Sequence, residues 1–125
     1  MGRQTTEMLK GILEGIVLGV LAERRAYGYE ITAWLREQGF TDIVEGTVYA
    51  LLVRIEQRGF VDVEKVASEK GPPRKVYSLN AQGSKYLDEF WRTWSFLAER
   101  IEQLRHLVEH SNEQQNNKQE QEEGE

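Results

Sequence analysis

Residues 45–79 read EGTVYALLVRIEQRGFVDVEKVASEKGPPRKVYSL, and their periodicity changes once, from helical to alternating. Val48, Leu51, Leu52 and Ile55 recur at i, i+3, i+4 and i+7, the spacing that gathers apolar side chains on one face of a helix. A helix over residues 45–58 follows, and Gly59 can end it because glycine accepts the left-handed backbone of a helix C-terminus. Apolar and polar residues then alternate over 60–66 and again over 74–79, on either side of a turn-rich segment at 67–73. This pattern predicts a β-hairpin whose tip, Lys70, Gly71, Pro72, Pro73, Arg74 and Lys75, is basic and stiff.

Toward the N-terminus, Leu9, Ile12, Leu13, Ile16, Val17, Val20 and Leu21 predict a first helix over 9–21 with one broad buried face. Gly11, Gly15 and Gly19 fall four apart on that helix, an alignment that would let another helix approach closely. Tyr27 and Gly28 break the pattern, and Ile31, Trp34 and Leu35 mark a second helix over 29–38, with Gly39 as its C-terminal cap. Three helices are therefore expected before any strand. Beyond the hairpin, Asn80 suits the N-cap of a long helix reaching His110, a span of about 45 Å at 1.5 Å per residue.

Leu87, Phe90, Trp94, Leu97, Ile101, Leu104 and Val108 are spaced alternately three and four apart along that helix, which is a heptad seam. A small domain cannot cover a seam of this length, so dimerisation through these seven residues is the economical solution. Residues 111–125 carry no apolar side chain and are expected to form a disordered acidic tail. The fold class that results is mainly α with a small β-hairpin. Residues 1–79 form a winged helix-turn-helix including the N-terminal helix, residues 80–110 a C-terminal dimerisation helix, and residues 111–125 the tail.

Composition narrows the function. At 125 residues, 39% of them hydrophobic and 30% charged, the chain has the balance of a globular protein of one domain. It has no cysteine, which removes disulfide scaffolds, thiolate metal sites and cysteine nucleophiles. The most apolar run, residues 16–22, is far shorter than the roughly 20 residues of a bilayer span, so no membrane role and a cytoplasmic location are expected. The net charge of −5 is unevenly spread. Residues 111–125 carry −4 of it, whereas residues 46–79 carry +2, so electrostatics permits binding of nucleic acid where the third helix and hairpin lie.

Helix, helix, helix, hairpin is the order of a winged helix-turn-helix, whose third helix enters the major groove while the hairpin touches the flanking backbone. With its apolar face buried, the third helix presents Gly46, Ala50, Val53 and Gln57 outward, flanked by Tyr49 on one side and by Thr47 and Arg54 on the other. Small outward residues allow close approach to base edges. Ala50 and Val53 suit a thymine methyl, Gln57 and Arg54 suit hydrogen bonds to bases, and the hydroxyls of Thr47 and Tyr49 suit phosphate. Lys70, Arg74 and Lys75 suit the phosphate backbone.

Three motifs in this order resemble those of the PadR family of transcriptional regulators. Tyr27, Gly28, Tyr29, Glu30 and Ile31 resemble the family's opening of the second helix. Gly46, Thr47, Val48 and Tyr49, followed by Leu51, Leu52, Arg54, Ile55, Glu56 and Gly59, resemble its recognition helix. Gly71, Arg74, Lys75, Tyr77, Leu79 and Gly83 resemble its wing and the start of its last helix. Val48 stands where leucine is usual, Ala26 where serine or proline is commoner, and Asn80 where threonine is usual. The single C-terminal helix is similar to the shorter branch of the family. The resemblance implies a homodimeric repressor of a palindromic operator, often released by a small molecule, and implies no enzyme and no cofactor.

Two other classes compete. His106 and His110 stand i, i+4 on a helix, a geometry that can hold a metal, but no third ligand completes a site within one chain and none is expected. No phosphate loop, nucleophile elbow or metalloprotease pattern occurs, which argues against catalysis. The alternative function is a winged-helix module that binds proteins and not DNA. Trp91 and Trp94, three apart on the dimerisation helix, are the candidate residues for a small aromatic or hydrophobic effector, since a two-fold axis would bring four indoles together.

Overall fold

A computed structural model describes residues 2–124. In chain order the elements are α1 (Arg3–Leu9), α2 (Leu13–Glu23), β1 (Ala26–Tyr27), α3 (Gly28–Glu37), α4 (Glu45–Gln57), β2 (Val61–Val66), β3 (Arg74–Leu79) and α5 (Ala81–Glu123). The chain divides into two compact units, one ending at Glu89 and the other starting at Phe90.

The core of the first unit is built from the apolar faces of three helices. Val17 and Leu18 of α2, Ile31 and Leu35 of α3, and Val48, Leu52 and Ile55 of α4 are all shut off from solvent. Glu30 accepts a hydrogen bond from the Tyr27 backbone N–H at 2.9 Å, satisfying a donor that the α3 N-terminus would otherwise leave free. Gly39 and Gly59, at φ 100° and 79°, turn the chain out of α3 and α4 in the left-handed conformation. The hairpin pairs β2 with β3 antiparallel from Val61 opposite Leu79 to Val66 opposite Arg74. Asn80 performs the expected cap at the start of α5: its Oδ1 accepts from the Gly83 N–H at 2.9 Å, and its Nδ2 donates to the Gly59 carbonyl at 2.9 Å.

Three expectations are corrected. The first helix is two helices, α1 and α2, separated by a turn over residues 10–12. Gly11 lies in that turn with open space around it, so the glycine register of 11, 15 and 19 is broken, and the poor helix propensity of glycine is what the chain uses there. A strand does precede the hairpin: β1 pairs with β3, Ala26 opposite Tyr77, and gives a three-stranded sheet in the order β1-β3-β2. Finally, α5 does not stop at His110 but continues to Glu123, so residues 111–123 of the expected disordered tail are helix. Gln, Glu and Lys are good helix formers, and extending a helix already nucleated by packed turns needs only propagation. Met1, in the expected first domain, and Glu125, in the expected tail, lie outside the described residues.

The first unit ends within α5. The first turns of α5 belong to the first unit, where Gly83 and Leu87 are buried and Tyr86 stacks on Phe60 at 4.5 Å between centroids.

In the second unit Trp94, Leu97, Ile101, Leu104 and Val108 are exposed, and so are Trp91, Phe96 and Leu107. No helix among the described residues is long and apolar enough to cross a membrane.

Candidate nucleic-acid interface

The same four residues that anchor α4 in the core decide what it turns outward. With Val48, Leu51, Leu52 and Ile55 buried, Gly46, Ala50, Val53 and Gln57 share the opposite face, all exposed. The face is shallow: a Cβ added at Gly46 would meet nothing within 4 Å, and Val53 keeps half its surface in solvent. Each flank of this face is organised differently.

On the flank toward the hairpin, a cleft of about 540 Å³ is lined by Tyr27, Gly28, Tyr29, Glu45, Tyr49, Pro73, Arg74, Lys75 and Tyr77. It brings Tyr49 of α4 together with Arg74 and Lys75 of β3, candidates that the sequence pattern places on separate elements. The cleft also adds three tyrosines that the pattern assigned only to the family motif or to a strand. The Arg74 guanidinium lies over the Tyr29 ring at 5.3 Å, which fixes a cation at the tip end of the hairpin. Lys75 reaches the Glu56 carboxylate at 3.5 Å. The Tyr49 phenol is pushed up from its ordinary value by burial, then by the charge and hydrogen bonding of Glu45, against a smaller opposing effect of Arg74. Like any phenol it is protonated at neutral pH, and its single O–H must turn from Glu45 to reach an anion. Lys70 stands exposed in the turn between β2 and β3, with Gly71 at φ 144° beside it.

On the other flank, Arg54 is not free. Its Nη2 donates to Glu14 Oε2 at 2.8 Å, and Arg58 Nη1 donates to Glu14 Oε1 at 2.5 Å. Glu14 is a residue that the sequence pattern passed over; a charged side chain interrupting the apolar stretch of α2 was the signal for it. Thr47 lies on this side with its residue exposed, on the wall of a mostly apolar hollow of about 660 Å³ between α1, α2 and α4.

The remaining candidates fall elsewhere. Leu87 is buried within the first unit and so leaves the proposed dimer seam, and Phe90 is half-buried. Trp91 and Trp94 are both nearly half exposed, and Phe90 meets the Trp91 ring edge-on at 5.2 Å. His106 and His110 line a shallow apolar depression with Leu107, and His110 Nε2 lies 3.2 Å from Gln114 Nε2. Among the described residues no group of three or more His, Cys, Asp or Glu is placed to hold a metal ion.

Comparison with known proteins gives a consistent picture. The pattern that defines the transcriptional regulator PadR-like family matches residues 17–89. A protein of Lysinibacillus sphaericus named "Uncharacterized protein X" is 29% identical over 99 residues, covering 78% of this chain and 91% of its own. The crystal structure of a PadR-like transcriptional regulator from Bacillus cereus is similar at 36% identity and a TM-score of 0.70, over 78% of this chain and 95% of that one. A Streptococcus transcriptional regulator is similar at 39% identity and a TM-score of 0.70, over 78% of this chain and 96% of that one. Bacillus subtilis PadR, solved in complex with operator DNA, shares the fold at 22% identity and a TM-score of 0.59, over 64% of this chain and 46% of that one.

Proposed function

Because the chain belongs to the transcriptional regulator PadR-like family, a family of regulators and not of enzymes, we propose that it is a homodimeric repressor that binds a palindromic DNA operator through α4 and the β2–β3 hairpin. The observation that carries this reading is the shape and charge of α4: a shallow exposed face of Gly46, Ala50, Val53 and Gln57, with a cationic cleft on one side and a guanidinium on the other. Val53, half exposed between two charged flanks, offers an apolar contact on that face. Ala50 and Val53 meet thymine methyls, Gln57 and Arg54 read base edges, Thr47 and Tyr49 donate to phosphate, and Lys70, Arg74 and Lys75 hold the hairpin on the backbone. That a protein of this fold, Bacillus subtilis PadR, has been solved on operator DNA supports the reading.

The second copy seats on α5. Trp94, Leu97, Ile101, Leu104 and Val108 form an exposed strip at alternate three- and four-residue spacing, and such a strip is self-complementary in a coiled-coil pair. Trp91 and Trp94 would then stand beside the partner's indoles, which suits a flat hydrophobic or cationic effector. Release of DNA requires that the effector bind the DNA-incompetent dimer better.

Binding to duplexes from upstream of the protein's own gene and its neighbours, followed across salt concentration, tests the function. Repression through DNA contact predicts a steep fall in affinity, about 0.9 log units per log unit of salt for each phosphate neutralised, and half-sites about one helical turn apart. A flat salt dependence would identify a module that binds proteins instead. Saturable quenching of tryptophan fluorescence by planar dyes or phenolic acids, together with a change in operator affinity, tests the effector.

A further inference from the structure

Glu14 differs from the other acids of the first unit. Its side chain is only 14% exposed, it lies between the buried residues Leu13 and Gly15 of α2, and its two oxygens are divided between Arg54 in the last turn of α4 and Arg58 at its C-cap. A carboxylate that merely tied α2 to α4 would be satisfied by one guanidinium presenting two parallel N–H groups. Here Arg58 holds Oε1, and its guanidinium also lies over the rings of Phe60 and Tyr86 at 4.7 and 4.9 Å, so that arginine is fixed from three sides. Oε2 is thereby placed, and it in turn places Arg54. Arg54 remains 57% exposed, with only Nη2 engaged among the described residues, so its other donors face solvent at the edge of the α4 outward face.

We propose that Glu14 is a positioning residue for DNA recognition: anchored by Arg58, it fixes the plane of the Arg54 guanidinium so that Arg54 reads a base as a preset fork. The inference rests on the DNA-binding reading above. Base selection by arginine depends on the direction of a planar pair of donors, and a long side chain free to rotate supplies charge without that direction. Phosphate attraction is insensitive to the plane. Loss of Glu14 therefore changes which sequence is chosen and not whether DNA is bound. The neighbouring charges agree: with two arginines and one carboxylate the cluster is net positive, and neutralising Glu14 makes it more so.

The test is selection of duplexes from a random-sequence pool by the full-length wild type, Glu14→Gln, Arg54→Ala and the double variant, with sequencing of what each retains. Glu14→Gln is expected to lose preference at the base positions that Arg54→Ala loses, on the order of tenfold at each. The double variant is expected to be no worse than Arg54→Ala, and affinity of Glu14→Gln for random duplexes to be unchanged or higher. Should the glutamine variant not fold, Glu14→Asp keeps the charge but withdraws the carboxylate, and is expected to weaken the same positions. A Glu14 variant that retains the wild-type motif, or loses preference at positions other than those of Arg54, overturns the inference alone. A wild type that enriches no sequence overturns the DNA-binding reading and this inference with it.

Discussion

Gly46 and Gly83 place opposite demands on the same residue type. At Gly83 an added Cβ would stand 2.0 Å from the Phe60 carbonyl oxygen and 2.7 Å from Leu79 Cδ1, and the carbonyl belongs to backbone that cannot swing aside. Gly83→Ala is expected to lose about 3 kcal/mol or more of unfolding free energy in urea titration. Gly46 is exposed in the first turn of α4 with nothing within 4 Å, so Gly46→Ala is expected to gain about 0.5–1 kcal/mol in the same measurement. On the DNA-binding reading that methyl stands between the helix and the bases, and affinity falls as stability rises. Tyr77 provides a pH test. Its phenol is pushed above the ordinary value by burial first, then by the Glu56 charge and by Tyr49. The folded chain thus holds this proton more tightly than the unfolded chain. The stability it contributes is complete below about pH 10 and is lost as pH rises through the folded value. Alkaline titration of unfolding is expected to show a decline beginning near pH 10 that Tyr77→Phe reduces.

At the scale of the element, α5 changes character along its length. Its first turns are capped by Asn80 and packed through Gly83 and Leu87, whereas every residue from Ser111 to Gly124 is exposed. Glu120, Glu122 and Glu123 also crowd the C-terminal end, where the helix dipole favours cations. Helix there is held by propagation, with no buried residue among the described ones to anchor it. Deleting residues 111–125 is expected to lower the helical circular dichroism signal while moving the unfolding free energy by no more than about 0.5 kcal/mol. Amide exchange over residues 111–123 is expected to be fast compared with that of α3 and α4.

For the whole molecule, the proposed dimer makes a direct demand. The double variant Leu97→Asp, Ile101→Asp puts two like charges per chain on the exposed strip, and it is expected to sediment as a monomer while the wild type sediments as a dimer at micromolar concentration. A wild type that is monomeric there would remove the second copy from α5. Losing the dimer is also expected to lower operator affinity by far more than any single side chain, because two linked half-sites bind with an effective local concentration that separate chains lack.

The amino-acid sequence by itself determined α3, α4, the hairpin and the cap at Asn80. Each of these is written in spacing that the local backbone imposes: 3.6 residues per helical turn, two per strand repeat, three from Asn80 to the N–H it receives. It also determined which face of α4 is buried and hence which is offered outward. The tertiary structure alone decided the pairing of Ala26 with Tyr77, the cleft that gathers Tyr27, Tyr29, Tyr49 and Tyr77 from separate segments, and the capture of Arg54 and Arg58 by Glu14. Those partners are forty and forty-four residues from Glu14, and no local period relates them. Periodicity tells which side of an element is apolar; which side chains meet across elements depends on how the faces dock, and that is a property of the folded chain.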